Sequence, residues 1–167
     1  MSDNRHLTRY DKYLWYVVRH RWFVFVECCK LGIPWQGLVH DLSKFRPSEF
    51  FPYARHFHGA GAKEWRDKTG YYKPTDTGDA AFDIAWFLHQ KRNAHHWQYW
   101  LFPADPGHMK VLRIPDRYVK EMVADWRGAG RAQHRPDVLA WYAANKGKMV
   151  IHQESQNYVE KLLGLRP

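Results

Sequence analysis

The stretch YLWYVVRHRWFVFVECC, residues 13–29, is apolar enough to suggest either a membrane span or the buried helix of a bundle. A span needs about twenty residues nearly free of charge. Arg19, His20, Arg21 and Glu27 interrupt this run, so it reads as a buried helix. Extended to residues 8–31, it is closed by Gly32, the residue type that most readily takes the left-handed turn after a helix. Tyr13, Tyr16, Val17, Val24 and Glu27 stand three, four or seven residues from His20. That spacing puts the imidazole on the inward face of the helix.

The same punctuation continues along the chain. Pro34 suits the first turn of a second helix over 34–43, and Pro47 can start a third, PSEFFPYARHF. Residues 59–78 read as an exposed excursion with at most a short helix at 62–65. A helix over 79–91 follows, then another turn or two capped by Asn93. A loop over 103–114 holds Pro103, Pro106 and Gly107. Three more helices are predicted at 115–127, 136–145 and 150–163, the last ending at Gly164. Strand signals are almost absent, with no sustained alternation and no Asn-Gly or Asp-Gly hairpin turn. The expectation is a single-domain all-α bundle of six to eight helices spanning 1–167.

A hydrophobic share of 45% and an aromatic share of 17% favour a packed globule over a disordered chain. Cys28 and Cys29 are neighbours and cannot form an ordinary disulfide with each other, so a reduced, cytoplasmic protein is expected. The opening MSDNRHLTRYDKY is polar where a secretory leader would be apolar. Lys and Arg number 26 against 17 acids, a formal net charge of +9. This favours anionic partners: a small phosphate-bearing substrate such as a nucleotide, or nucleic acid. The basic residues are scattered, with no basic arm. No membrane partner is expected; the sequence sets no oligomeric state, and a dimer is compatible with it.

Within GLVHDLSKF, residues 37–45, His40 and Asp41 lie among Leu38, Val39 and Leu42. Polar groups in such surroundings are costly unless something pairs with them. On a helix the two would stand about 100° apart, close enough to approach one cation. Lys44 would fall on the same side. Far along the chain, YVKEMVADW places Asp125 on the face shared by Tyr118, Glu121 and Met122. Two imidazoles (His20, His40) and two carboxylates (Asp41, Asp125) suit a divalent ion, whether Mn, Co, Ni, Zn, Fe or Mg, with positions left for water or substrate. An ion so held lowers the pKa of water and polarises a phosphoryl oxygen. A second cluster, LHQKRNAHHWQYW, gathers His89, Arg92, His95 and His96, which could clamp a phosphate together with Lys44. A plain ion pair of Asp125 with Arg127 or Lys120 is the competing expectation at that position.

The order His20, then His40-Asp41, then a distant Asp125 resembles the HD-domain metal-dependent phosphohydrolase superfamily. The resemblance implies that these four residues bind the metal. It also implies that His89, His95 and His96, lying between the doublet and the last aspartate, hold a second metal if they do not contact substrate. The segments HDLSKF, EFFPYARHF, HQKRNAHHWQYW and EMVADWRGAG are more closely similar to a small family of HD-like proteins of phages and bacteria, whose substrates are not settled. Two departures stand out. HD-domain deoxynucleotidases usually carry an acid three residues after the aspartate, where this chain has Lys44. A lysine there is more like the cyclic-dinucleotide phosphodiesterase branch, yet the Gly-Tyr-Pro signature of that branch is missing. Glu49 or Glu121 would have to replace the missing acid. The function so implied is hydrolysis of a phosphate ester, most naturally a nucleotide, with Lys44, Glu49 and Glu121 as catalytic candidates. The alternatives are a di-iron oxygenase of HD type and a non-enzymatic basic module binding nucleic acid or a host protein.

Overall fold

The computed structural model describes residues 7–60 and 77–167. The chain forms seven α-helices among the described residues: α1 (Arg9–Lys30), α2 (Pro34–Val39), α3 (Pro47–His58), α4 (Ala80–Arg92), α5 (Asp116–Ala132), α6 (Val138–Asn145) and α7 (Gln153–Leu162). The expected all-α architecture holds. The short helix expected around 62–65 lies outside the described residues.

α1 begins on a capping box: the Asp11 backbone N–H donates to Thr8 Oγ1, and the Thr8 N–H donates to the Asp11 carboxylate. It buries Tyr13, Val17, His20, Val24, Glu27 and Cys28 along one stripe, which includes the inward His20 read from the sequence. α5 lies along this stripe and α2 beside it. Both approaches need glycine. A Cβ on Gly37 would stand 2.8 Å from Cys28 Cβ, and one on Gly128 would stand 2.5 Å from Val24 Cγ2 and 2.8 Å from its backbone N. Gly128→Ala therefore forces the α1–α5 pair apart. It is expected to lower unfolding free energy by about 1–3 kcal/mol, the usual cost of overpacking, read as a lower denaturant midpoint at unchanged slope.

Two apolar clusters flank the pair. One (Tyr13, Val17, Tyr53, Ala54, Phe82, Ala85) joins α1 to α3 and α4. The other (Ile114, Val119, Met122, Val123, Tyr142, Val159, Leu163) joins α5 to α6 and α7. The polar residues of interest come from elements of both.

Three local expectations are corrected. The second helix does not run to residue 43: α2 ends at Val39, His40 leaves it with φ −51° and ψ 130°, and Asp41 takes the left-handed conformation at φ 53°. A 3-10 turn, Leu42–Phe45, follows. The loop over 103–114 contains a small hairpin. Strands β1 (Leu101–Ala104) and β2 (His108–Val111) pair antiparallel, with Leu101 opposite Val111 and Ala104 opposite His108. Its three-residue connection, Asp105–Gly107, places Gly107 at φ +80°, the conformation such loops require at that position. The helix expected over 115–127 continues to Ala132, through two glycines. Packing of Gly128 against Val24 outweighs the poor helix propensity there. No helix among the described residues is long and apolar enough to cross a membrane.

Candidate metal centre

The break in α2 aims the doublet. A non-glycine residue in the left-handed region costs about 1–2 kcal/mol, and aspartate is among the few types that visit it. Arg21, on α1, holds the turn in place: its Nε donates to the carbonyl of His40 at 2.8 Å and its Nη2 to that of Leu38 at 2.7 Å. His40 and Asp41 are then turned inward, 1% and 2% exposed, towards His20 on α1 and Asp125 on α5.

Four donor atoms converge. His20 Nε2 lies 3.3 Å from each of His40 Nε2, Asp41 Oδ2 and Asp125 Oδ1. His40 Nε2 lies 3.3 Å from Asp41 Oδ2 and 3.5 Å from Asp125 Oδ1. Five of the six separations among these atoms are thus 3.3–3.5 Å, and a regular tetrahedron of such edges has its centre about 2.1 Å from each corner, the length of a metal–nitrogen or metal–oxygen bond. His40 donates through Nδ1 to Glu121 Oε1 at 3.0 Å, so in the neutral ring the Nε2 lone pair points at the cage. Lone pairs and carboxylates aimed at one point repel unless a proton or a metal cation lies between them.

A second group shares Asp41 through its other oxygen. His89 Nε2 and His95 Nε2 lie 3.4 and 3.5 Å from Asp41 Oδ1, and one donor atom from each of Asp41, His89, His95 and His96 falls within 4.8 Å of the others. Asp41 Oδ1, His95 Nε2 and His96 Nε2 are buried without a hydrogen-bond partner. Orphaned buried acceptors of this kind are rare in folded proteins, and here they face one another. Both groups fit a divalent ion, with Asp41 as the carboxylate between them.

Around the cage, carboxylates hold the imidazoles in one tautomer. Glu121 Oε1 accepts from His40 Nδ1 and, at 3.1 Å, from His95 Nδ1. Glu49 is fully buried and accepts from His89 Nδ1 at 2.9 Å, from Ser43 at 2.8 Å and from Arg92 at 2.6 Å. Each of the three rings therefore turns its Nε2 towards Asp41. Carboxylates bonded to the remote nitrogen of ligating histidines are the usual outer layer of a metal site. Lys44, 9% exposed, donates to Asp41 Oδ2 at 3.0 Å and to His89 Nε2 at 3.1 Å.

Electrostatics follow from burial and these neighbours. Burial alone would raise the carboxyls of Asp41 and Asp125, but the surrounding cations and hydrogen bonds hold both well below the usual carboxylate range. Burial would lower His40, yet Asp41, Asp125 and Glu121 carry it well above its ordinary value. Burial does lower His20, and it lowers His89, beside Lys44, to about 4. His96 is lowered by burial and by its neighbours His95 and His89. Lys44 stays charged, because Asp41 more than offsets its burial.

All eleven residues singled out in the sequence have a place here. His20, His40, Asp41 and Asp125 form one group; His89, His95 and His96 meet Asp41 in the other. Glu49 and Glu121 stand behind the histidines. Arg92 is engaged by Glu49 and by Ser48 at 3.0 Å, which ties it to the support of His89. The competing ion pair for Asp125 does not form: Lys120 donates to the carbonyl of Leu31 and Arg127 to that of Leu162. Sequence reasoning missed Arg21, Ser43 and the bond from Asn93 Nδ2 to Ser43 Oγ at 2.8 Å. Arg21 had one readable signal, its place beside His20 in a run whose only other charged residues are Arg19 and Glu27.

The helical fold and the buried histidine–carboxylate cluster define an all-α protein with a site compatible with metal. The chain matches a family of unknown function (DUF5662) over residues 9–165, and belongs to that family. Neither a curated protein nor a solved structure matches it.

Proposed function

We propose that this protein is a metal-dependent phosphohydrolase that cleaves a phosphate ester, with a nucleotide as the substrate class. The observation that carries the reading is the convergence of His20 Nε2, His40 Nε2, Asp41 Oδ2 and Asp125 Oδ1 at metal-bonding separation. These four would hold the ion. A divalent ion there supplies acidified water and polarisation of a phosphoryl oxygen. The chain's own groups supply the rest. Lys44 brings a buried positive charge against the phosphate, and the net charge of +9 favours an anionic substrate. His95 and His96 face the neighbouring position, where they would contact either a second ion or a phosphate oxygen. Glu121 and Glu49 keep the imidazoles oriented through Nδ1.

The test is phosphate release from a panel of nucleoside mono-, di- and triphosphates. The purified chain is stripped with chelator and then reloaded separately with Mn, Co, Ni, Zn, Fe and Mg. Turnover is expected only after reloading, and Asp125→Ala should lose it with every metal. Hydrolysis that persists in exhaustively stripped protein overturns the proposal.

One observation favours a second reading, oxidative chemistry at two irons: the second donor group, which shares Asp41 with the first. Anaerobic purification with metal analysis separates the two. Two irons per chain and substrate-dependent oxygen uptake support oxidation; phosphate release with no oxygen uptake supports hydrolysis.

A further inference from the structure

α1 has two faces, and the fold uses one of them. Opposite the buried stripe, Asp11, Trp15, Val18, Trp22, Phe25 and Cys29 recur at alternating intervals of four and three residues. That is the spacing of a coiled-coil seam. Trp15 is 62% exposed, Trp22 61% and Val18 47%. Beside the seam, α2 packs through Gly37 onto Phe25 and leaves Trp35 67% and Leu38 54% exposed. Arg21 bridges the two elements, bonded to the carbonyl of Leu38 and lying over the ring of Phe45.

We propose that this face is a homodimer interface, in which the α1 seam of one chain packs against the same seam of a second copy. Area is the first argument. An aromatic side chain carries about 150–250 Å², so the three tryptophans alone leave about 300–450 Å² open. Val18, Leu38 and the partly exposed Phe25 bring the patch to the apolar part, a little over half, of the roughly 800 Å² per partner of a standard interface. That lies in the upper part of the roughly 300–600 Å² covered by the largest apolar patch of a typical monomer, a patch that is often a binding surface. Complementarity is the second argument, because a heptad seam is matched by another helix of the same spacing. The chemistry around the seam favours protein over a lipid surface. A membrane-binding helix projects Lys and Arg around its apolar face. Here the arginines in the middle of the segment are turned inward, Arg21 to the carbonyls of Leu38 and His40 and Arg19 towards that of Ala132. The flanking lysines are confined to its two ends, Lys12 and the Glu27-paired Lys30.

The test is the mass of the full chain in solution by light scattering at about 50 µM, where an interface of micromolar or tighter affinity is formed. Twice the 20.0 kDa of one chain is expected. Trp22→Glu and Trp15→Gln, both on the face of α1 turned away from His20, should run at the single-chain mass with wild-type circular dichroism. Leu139→Glu, on the exposed side of α6, should remain dimeric. The wild-type mass decides the matter even if a variant fails to fold. A wild-type chain at 20.0 kDa, or seam variants that stay dimeric, overturns the proposal. So does a monomer that co-sediments with phosphatidylglycerol vesicles and loses this on Trp22→Glu, which would assign the face to a membrane surface.

Discussion

Under the proposed hydrolysis, Asp41→Asn is expected to leave the chain folded, to strip it of most of its metal and to lower turnover by about a thousandfold. Asp41 alone belongs to both donor groups, Oδ2 facing His20 and His40 and Oδ1 facing His89 and His95. Asparagine keeps the shape but removes the charge and one of the two acceptors. Loss of about 4 kcal/mol of charge stabilisation corresponds to that thousandfold. The backbone permits the change, since asparagine also tolerates the left-handed φ of 53° found at this position; alanine there would add about 1–2 kcal/mol of strain. The fold is nonetheless weakened, because Lys44 loses its buried partner at 3.0 Å. Breaking one side of a buried pair costs about 3–5 kcal/mol. Asp41→Asn with Lys44→Met removes both charges and should recover most of that stability while remaining metal-free. Denaturant melts read the first effect and metal analysis the second. A double variant that is stable yet binds metal as wild type would show that the cage does not depend on Asp41.

What the sequence tells about this centre divides by range. Regularities within one helix were legible. The apolar stripe of α1 and the position of His20 on it follow from spacing, and the structure buries both. The closure of α1 at Gly32 is likewise local, as its φ of +72° attests. The doublet was legible in identity but not in conformation. Nothing within residues 34–45 says that the helix must stop at Val39. The stop is held by Arg21, nineteen residues before His40. The hairpin escaped for a different reason: its strands are four residues long, one contains Pro103, and their burial does not alternate. The extension of α5 escaped because a glycine that weakens a helix locally is required by a neighbour, Val24, over a hundred residues away. The partners of the histidines are longer-range still. Glu121 meets His40 across 81 positions of sequence and Glu49 meets His89 across 40, and no periodicity encodes such pairings.

Those pairings set the second large effect. Glu121→Gln should weaken metal affinity about 10–100-fold, the usual loss when the outer partner of a ligating histidine is removed. It should do so at a pH where every imidazole is neutral. Glu121 offers one oxygen to two rings, His40 at 3.0 Å and His95 at 3.1 Å, and so orients one candidate ligand of each donor group. Glutamine's carbonyl oxygen can take the same place, but it carries no charge and accepts both bonds more weakly. The pH dependence separates this role from that of a water-activating acid. A metal must displace any proton on its histidine ligands, and the carboxylates around His40 hold that proton on, raising its pKa against the effect of burial. In the stripped protein the raised His40 contributes stability that is fully present below pH 6.5 and is lost as pH rises through its folded-state value. Removing one of those carboxylates lowers His40. Metal affinity in Glu121→Gln should then vary less steeply with pH above 6.5, and stripped-protein stability should flatten over the same window. An acid that acts only on water would change turnover and its pH profile while leaving metal affinity and stability where they were. Titrations of wild type and variant across pH 6–9 distinguish the two, and unchanged affinity in Glu121→Gln would remove Glu121 from the support of the centre.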